Sequence, residues 1–236
     1  MKKLGIIGAM DEEVARLKEN MKDARVTEQA SLTFYEGELM GLPVVVVRSG
    51  IGKVNAAICA QQLIDRFGTD CIINTGIAGS LNAQINIGDI VLSTDAVQHD
   101  MDATAFGYDV GVIPRMDTSA FAADEFLRAL AASVCYEVNP EIAVHTGRIL
   151  TGDQFIAAKE KKEWLVSAFS GICTEMEGAA IAQTAHNNGV PFLIIRAISD
   201  KADDSASEDY PVFEAKAIRH TVNLVCGLAK KLAAQP

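Results

Sequence analysis

Several charged residues of this sequence lie inside or next to apolar segments, where burying a charge is energetically unfavourable. Glu175 and Glu177 directly follow a short apolar segment, and Arg196 lies inside another one. Carboxylates and a cation in such places are expensive unless they bind a partner or a ligand. Asp200 follows the segment that holds Arg196, and further acids come soon after it. Crowded carboxylates raise one another's pKa, so one of them could stay protonated and act as an acid near pH 7.

Glycine-rich turns follow other apolar segments. Gly50 and Gly52 stand in the segment 49–53, and Gly76 and Gly79 stand in the segment 75–80. Such clusters could serve only as tight turns between strands and helices. The Gly52-Lys53 pair lacks the spacing of a nucleotide-binding P-loop, and no dinucleotide fingerprint follows a strand.

Other residues near these segment ends have alternative interpretations. Glu12 and Glu13 stand where a helix begins, and the helix dipole favours acids there whether or not they do chemistry. Phe155 and Ile156 could equally be core residues. The gathering of glycines, acids and an aromatic residue after successive strands is nevertheless what a small-molecule site at one edge of a sheet requires.

Short apolar segments alternate with segments of helical periodicity along the whole chain. This pattern predicts an α/β fold whose largely parallel sheet is covered on both faces. The second predicted helix, 53–67, should turn five apolar residues inward, namely Val54, Ala57, Ile58, Leu63 and Ile64. Strands are predicted at 4–8, 33–38, 44–48, 71–74, 90–93, 142–150, 171–174 and 192–198. Further helices are predicted at about 14–21, 122–134, 178–188 and 211–232, and one more is predicted around Trp164 and Phe169.

The segment 95–118 shows no clear period, and a loop of that length is usually functional or at an interface. It contains the run His99-Asp100-Met101-Asp102, which we interpret as a polar loop because the chain has four histidines and no second ligand cluster. No metal site is therefore expected. The five cysteines are widely spaced in apolar contexts, which favours buried, reduced thiols.

Composition excludes several classes of function. The 236 residues include 21 Lys and Arg against 31 Asp and Glu, a net charge of −10, which argues against nucleic-acid or anionic-membrane binding. Hydrophobic residues make up 49%, the mix of an ordinary globular protein, and no apolar stretch approaches the length of a membrane span. The apolar N-terminal segment is too short for a signal peptide. We therefore expect one cytoplasmic domain over 1–236.

Taken together, these motifs resemble the 5′-methylthioadenosine/S-adenosylhomocysteine nucleosidases of the purine and uridine phosphorylase superfamily. The resemblance covers essentially the whole chain in order and spacing, through segments 5–14, 49–57, 73–76, 78–79, 99–100, 104–108, 152–156, 175–177 and 196–200. It implies a three-layer α/β/α sandwich with a mixed, mostly parallel central sheet, in a homodimer. It also implies hydrolysis of the N-glycosidic bond of 5′-methylthioadenosine, S-adenosylhomocysteine and 5′-deoxyadenosine, in methionine salvage, with no cofactor.

The resemblance assigns roles to single residues. Glu13 resembles the general base that activates water, and Asp200 the general acid that protonates N7 of adenine. Glu177 resembles the carboxylate on the ribose 2′- and 3′-hydroxyls, beside Met176, and Arg196 the arginine near the water.

The rest of the pocket is assigned in the same way. Candidates for the adenine pocket and other substrate contacts are Gly79, Phe155, Ile156, Met10 and Ser199, and the walls of the 5′-alkylthio pocket are Ile51 and Tyr210. The partner subunit would contribute Ala103, Phe106, Tyr108 and Pro114.

Two positions depart from the family pattern. Ile77 stands where many relatives have a small hydroxyl residue, and Tyr210 stands where Phe is common. A phosphorylase of the same superfamily is one alternative, although only Lys53 and Arg48 offer a cation next to a rim loop. A futalosine hydrolase is another, since its substrate differs mainly at the 5′ substituent.

Overall fold

The computed structural model describes residues 2–202 and 206–235, with side chains described over 2–202 and 213–235. Strands and helices alternate along most of the chain, as the sequence predicts. The strands are β1 Leu4–Gly8, β2 Met21–Gln29, β3 Leu32–Leu39, β4 Leu42–Arg48, β5 Cys71–Ser80, β6 Ile90–Gln98, β7 Ala120–Ala122, β8 Val144–Thr151, β9 Cys173–Glu175 and β10 Phe192–Asp200. The helices are α1 Asp11–Glu19, α2 Lys53–Phe67, α3 Glu125–Val138, α4 Lys159–Phe169, α5 Gly178–Asn187 and α6 Ala206–Ala233.

The strands form one mixed sheet. Parallel pairings join β1 to β4 and β5, β5 to β10, β6 to β8 and β8 to β9. Antiparallel pairings join β2 to β3, β3 to β4, β5 to β9, β6 to β7 and β6 to β10. The strand β5 pairs with β1 at its start, with β9 at its end and with β10 along its length. Through these contacts β5, β10, β6, β8 and β9 close into a ring, a feature that the sequence pattern does not reveal.

Helices cover the sheet in two outer layers. α2 packs on α5, while α1 and α3 both pack on α6. The central strands β1, β5 and β10 are buried along their whole length, which explains their nearly continuous apolar sequences. The predicted α/β fold with a mixed sheet is confirmed.

Three local predictions were wrong. In α2 the inward face is formed by Ala56, Cys59, Ala60 and Leu63, whereas Val54 and Ile58 are 71% and 44% exposed. Small residues face inward because α2 packs closely on α5.

Met21 begins β2 instead of continuing α1, and β2 itself was missed because most of its side chains are exposed and no buried face marks it. The strand β5 extends through Thr75 to Ser80, a segment that its glycines had marked as a turn.

The segment after β6 is largely irregular, as predicted, with one short 3-10 helix at Thr104–Phe106. Ala103 is buried, Phe106 is 85% exposed, and Tyr108 and Pro114 are partly exposed. Over the described residues, no helix combines the length and apolarity needed to cross a bilayer. All five cysteines are free thiols, and four of them are buried.

Candidate active site

A cavity of about 270 Å³ opens at the carboxyl ends of the central strands. This volume is near the lower end of small-molecule sites. Residues after β1, along the end of β5, around β9 and at the end of β10 line it: Ala9, Met10, Glu13, Ile51, Ile77, Ala78, Gly79, Phe155, Thr174, Glu175, Met176, Glu177, Ser199 and Asp200. The edge of the sheet where the sequence predicts a site is therefore the edge that holds the cavity.

Glu13 joins the first turn of α1 to the sheet. One carboxylate oxygen accepts hydrogen bonds from the backbone N–H groups of Ala9 (2.6 Å) and Met10 (3.0 Å), and the other accepts from the N–H of Ile77 (3.2 Å). Burial raises the pKa of Glu13, while nearby Arg196 and these N–H groups oppose the shift. The carboxylate is thus fixed in direction and faces the cavity as an acceptor.

Arg196 lies beneath the cavity and is 2% exposed. Its guanidinium donates to the carboxylate of Glu175 and to the side-chain oxygen of Asn74. Glu175 also accepts from the hydroxyl of Thr151 and from the N–H of Gly178 (2.7 Å). Glu175 and Arg196, two of the three charges that the sequence marks as costly, are therefore partners of each other.

Glu177 precedes α5 and is 6% exposed. One of its oxygens accepts from the N–H of Gly52 at 2.8 Å, which holds the turn before α2 against the cavity. Burial, together with the nearby charge of Glu175, raises the pKa of Glu177 to about 8. A polar ligand that donates hydrogen bonds to this carboxylate would favour its ionised form.

Asp200 ends β10 and is 2% exposed. Its carboxyl group is 2.8 Å from the hydroxyl of Ser199 and accepts a 2.8 Å hydrogen bond from the N–H of Ala202. The Ser199 hydroxyl also lies 3.4 Å from the carbonyl oxygen of Ala78. Because a hydroxyl can donate to one group and accept from another, Ser199 can partner Asp200 in either protonation state.

Two glycines of β5 make room for the carboxylates. A Cβ atom on Gly76 would lie 2.4 Å from an oxygen of Glu13, and one on Gly79 would lie 2.7 Å from an oxygen of Asp200. The two acidic groups therefore contact β5 at separate points, three residues apart along the strand.

Most of the predicted site residues meet in the cavity, including Met10, Ile51, Gly79, Phe155 and Met176. Two others lie behind or beside it. The Ile156 side chain is buried in a separate apolar cluster with Leu150 and Leu165, and Arg196 supports the cavity without lining it.

Four predicted residues do not line the cavity of the same chain: Ala103, Phe106, Tyr108 and Pro114. Tyr210 falls outside the residues whose side chains are described.

Lys53 connects three loops at the rim. Its ammonium group donates to Asp100 (2.6 Å) and Gln98 (3.1 Å), and its backbone N–H donates to Asp153 (2.8 Å). The Lys53 ammonium group is thus paired with a carboxylate of the protein itself. Among the described residues, no three His, Cys, Asp or Glu side chains converge in a way that would hold a metal ion.

Sequence reasoning did not assign roles to Asn74, which holds Arg196, or to Ala78 and Thr174, which line the cavity. Asn74 could have been noticed because it is a polar residue in an otherwise apolar predicted strand.

A family model described as the phosphorylase superfamily matches residues 3–230 of the chain.

Similarities to individual proteins assign the chain to a smaller group within this superfamily. A 5′-methylthioadenosine/S-adenosylhomocysteine nucleosidase of an Exiguobacterium species is 44% identical over 234 residues, or 98% of each chain. The crystal structure of the Neisseria meningitidis nucleosidase of that name, in complex with methylthio-immucillin-A, superposes with a TM-score of 0.94 at 38% identity, over 98% of this chain and 100% of that one. A futalosine hydrolase of Helicobacter pylori gives 0.92 at 34% identity, over 98% of each chain. The chain belongs to the phosphorylase superfamily and, within it, to the 5′-methylthioadenosine/S-adenosylhomocysteine nucleosidases.

Proposed function

We propose that this protein hydrolyses the N-glycosidic bond of 5′-methylthioadenosine and S-adenosylhomocysteine, and of 5′-deoxyadenosine, releasing adenine and the 5′-substituted ribose. The relatives and the structural neighbours named as nucleosidases support this activity. The observation that carries it is a cavity lined by Glu13, Glu177 and Asp200 with no lysine or arginine among its described lining residues.

Asp200 acts as the general acid. Adenine is a poor leaving group as an anion and a good one once N7 is protonated, so a carboxylic acid aimed at the base lowers the barrier. The Ser199 hydroxyl donates to the Asp200 carboxyl group, which leaves the acidic proton of Asp200 to be given to N7. The carboxylate that remains after proton transfer keeps this hydrogen bond and the one from the N–H of Ala202.

Glu177 holds the sugar. As the glycosidic bond lengthens, C1′ and the ring oxygen gain positive charge. A carboxylate that accepts from the 2′- and 3′-hydroxyls fixes the ribose and places negative charge near that cation. The hydrogen bond from Gly52 keeps one oxygen of Glu177 in place, and the other is available to the ligand.

Glu13 activates water on the opposite face of the sugar. Its three backbone partners hold the carboxylate in one direction, and the Arg196 cation helps to keep it ionised. Glu13 and Asp200 contact β5 at different positions, three residues apart, which supports a base and an acid that act on different sides of a bound ribose.

Water is the nucleophile in this proposal because no lysine or arginine among the described lining residues is placed to hold a phosphate dianion. Lys53 is bound to Asp100, Arg196 is bound to Glu175, and Arg48 lies outside the cavity beside Asp11. The carboxylate of Glu13 would in addition repel phosphate.

The test is adenine release in phosphate-free buffer. Turnover of 5′-methylthioadenosine at the same rate with and without phosphate is the expected result. Release that requires phosphate and yields a ribose 1-phosphate would instead identify a phosphorylase.

A futalosine-type substrate is the second candidate, favoured by the similarity to the Helicobacter pylori futalosine hydrolase. A competition among 5′-methylthioadenosine, S-adenosylhomocysteine, 5′-deoxyadenosine and a futalosine analogue, followed by base release, ranks the candidates directly.

We further propose that residues 1–236 form a single nucleosidase domain, that it works as a cytoplasmic homodimer and that it serves methionine salvage. In this proposal Ala103, Phe106, Tyr108 and Pro114 of the neighbouring subunit close the 5′ side of the cavity. The 85% exposure of Phe106 supports it, since so large an exposed apolar side chain suits an interface. Size-exclusion chromatography that shows only a monomer at micromolar concentration would contradict it.

A further inference from the structure

Asp100 closes a ring of hydrogen bonds with Lys53 and Asp153 at the rim of the cavity. One carboxylate oxygen of Asp100 accepts from the Lys53 ammonium group (2.6 Å), and the other accepts from the backbone N–H of Asp153 (2.9 Å). The Asp153 carboxylate in turn accepts from the backbone N–H of Lys53 (2.8 Å). Each of these residues therefore contacts the other two, although they lie far apart in the chain.

The ion pair of this ring is shielded from solvent. The side chains of Lys53 and Asp100 are only 18% and 15% exposed. The Lys53 ammonium group also donates to the side chain of Gln98, which ends β6. Charge-assisted hydrogen bonds are roughly twice as strong as neutral ones, so the ring can hold its members in one arrangement.

The ring holds the turn before α2 against Glu177. Gly52 stands next to Lys53 and donates its N–H to Glu177 at 2.8 Å. Gly52 has a φ of +97°, and a Cβ atom there would lie 3.1 Å from an oxygen of Asp153. Two consecutive N–H groups of this turn are thus bound by carboxylates, one in the ring and one in the cavity. A shift of the Lys53 backbone would therefore move the Gly52 N–H away from Glu177.

The ring also holds the loop that carries Phe155. Asp153 stands two residues before Phe155, which lines the cavity. The ring of His99 packs so closely on Gly152 that a Cβ atom at this glycine would overlap it. His99 and Asp100 together therefore fix the beginning of the loop.

We propose that Asp100 is a positioning residue for the reaction, which keeps the Gly52 N–H on Glu177 and Phe155 at the cavity. The inference rests on the proposed nucleosidase function, in which an ionised Glu177 holds the ribose hydroxyls. It gives a role to the polar run that starts at His99, which does not itself line the cavity.

Loss of the Gly52 hydrogen bond should change the protonation of Glu177. Burial and the nearby charge of Glu175 raise the pKa of this carboxyl to about 8, Glu13 adds to the rise, and Arg196 and the Gly52 N–H oppose it. Without that N–H the pKa of Glu177 should rise further, because a hydrogen bond to a carboxylate favours its ionised form. A protein that needs ionised Glu177 would then reach full activity only at higher pH.

The experiment measures kcat and KM for 5′-methylthioadenosine between pH 5.5 and pH 10 in wild type, Asp100→Ala and Asp100→Asn. At pH 7 Asp100→Ala should lower kcat/KM about tenfold, since charge-assisted hydrogen bonds are lost. The rising limb of kcat/KM, which reports the essential groups of the free enzyme, should move up by roughly one pH unit. Asp100→Asn keeps an oxygen for one of the two donors and should recover part of both effects.

Lys53→Met tests whether the ring acts as a unit. It should move the rising limb in the same direction as Asp100→Ala. The double variant Asp100→Ala/Lys53→Met should be no worse than the more impaired single variant, because residues of one hydrogen-bonded network have non-additive effects. Additive losses would contradict the ring.

Glu36→Ala is the matched control. It removes a carboxylate that lies 2.7 Å from Lys3 in another partly buried ion pair and does not line the cavity. Rate and rising limb should both stay as in wild type. A rising limb that does not move in Asp100→Ala, even at a lower plateau, overturns the proposal, and so does an equal effect of Glu36→Ala. If Asp100→Ala does not fold, the nearly isosteric Asp100→Asn gives the same comparison.

A ¹³C NMR titration of the Glu177 carboxyl separates this proposal from the proposed function. The pKa of Glu177 should be higher in Asp100→Asn than in wild type, in the free protein and without turnover. An unchanged pKa would refute the role of Asp100. A wild-type protein that hydrolyses neither 5′-methylthioadenosine nor S-adenosylhomocysteine would refute the proposed function instead.

Discussion

The guanidinium of Arg196 donates to the carboxylate of Glu175, and both side chains are only 2% exposed. The same cation also interacts electrostatically with Glu13 and Glu177, so one positive charge serves three buried acids. Asn74 fixes the guanidinium from below. The active site is therefore built on a charge cluster in which the cation is the central member.

Replacing Arg196 should lower the stability of the fold far more than replacing one of the acidic residues. Arg196→Met leaves Glu175 buried without a counter-charge, and we expect a loss of about 3–5 kcal/mol in the free energy of unfolding. Glu175→Gln leaves the arginine facing Glu13 and Glu177 and should cost clearly less. Urea denaturation at pH 7 measures both. Equal losses in the two variants would contradict the central position of Arg196.

Asp200→Asn should lower kcat by about 10²–10⁴-fold while substrate analogues still bind, because an amide cannot give N7 a proton. The residue is nearly isosteric and can keep the contacts to Ser199 and Ala202. Calorimetry with a methylthioadenosine analogue, beside a turnover assay, separates the two effects. Turnover within a few-fold of wild type would refute the acid assignment.

Glu13→Gln should abolish hydrolysis and also lower stability moderately. The amide has one acceptor oxygen, whereas the carboxylate accepts from N–H groups through both of its oxygens. An amide NH₂ group facing the N–H of Ile77 costs about 1–2 kcal/mol, or roughly 2–8 °C in Tm. Glu12→Gln, at the exposed neighbouring position, is the control and should change neither quantity. A complete collapse of Tm in Glu13→Gln would show that the residue serves mainly the fold.

Glu177→Gln should stabilise the protein in a pH-dependent way. The folded-state pKa is raised from its ordinary 4.5 to about 8, so between these values the folded protein keeps a proton that the unfolded chain has released. Native stability from this group is therefore lost as pH rises from about 4.5 to 8. Gln does not titrate and keeps an oxygen for the N–H of Gly52.

The Tm of Glu177→Gln minus that of wild type should consequently grow across this window and level off above it. Thermal melts between pH 5 and pH 9 check the trend. A constant difference would mean that Glu177 is ionised in the folded protein throughout.

Sequence patterns predicted the apolar parts of the strands around the site, because buried apolar segments such as 192–198 are hard to mistake, but they missed the glycine-rich end of β5. They failed for α2, where helical periodicity gave the right helix but the wrong face: Val54 and Ile58 are exposed, and small residues pack on α5. Residue size, which decides how closely two helices approach, is not visible in a hydrophobic pattern.

The ion pair between Glu175 and Arg196 could not be predicted from the sequence. Glu175 and Arg196 could each be marked as costly, but only the pairing of β8, β9 and β10 around β5 shows that they meet. That closure joins strands far apart in the chain, and no local signal encodes it.

The glycines at positions 76 and 79 give the site an unusual vulnerability. A single added methyl group at either one would push directly on a reacting carboxyl group, because a Cβ there lies within 2.7 Å of an oxygen of Glu13 or Asp200. Gly76→Ala or Gly79→Ala could thus abolish activity although every functional side chain is retained. Mutagenesis that is limited to the acidic and basic residues would not detect this effect.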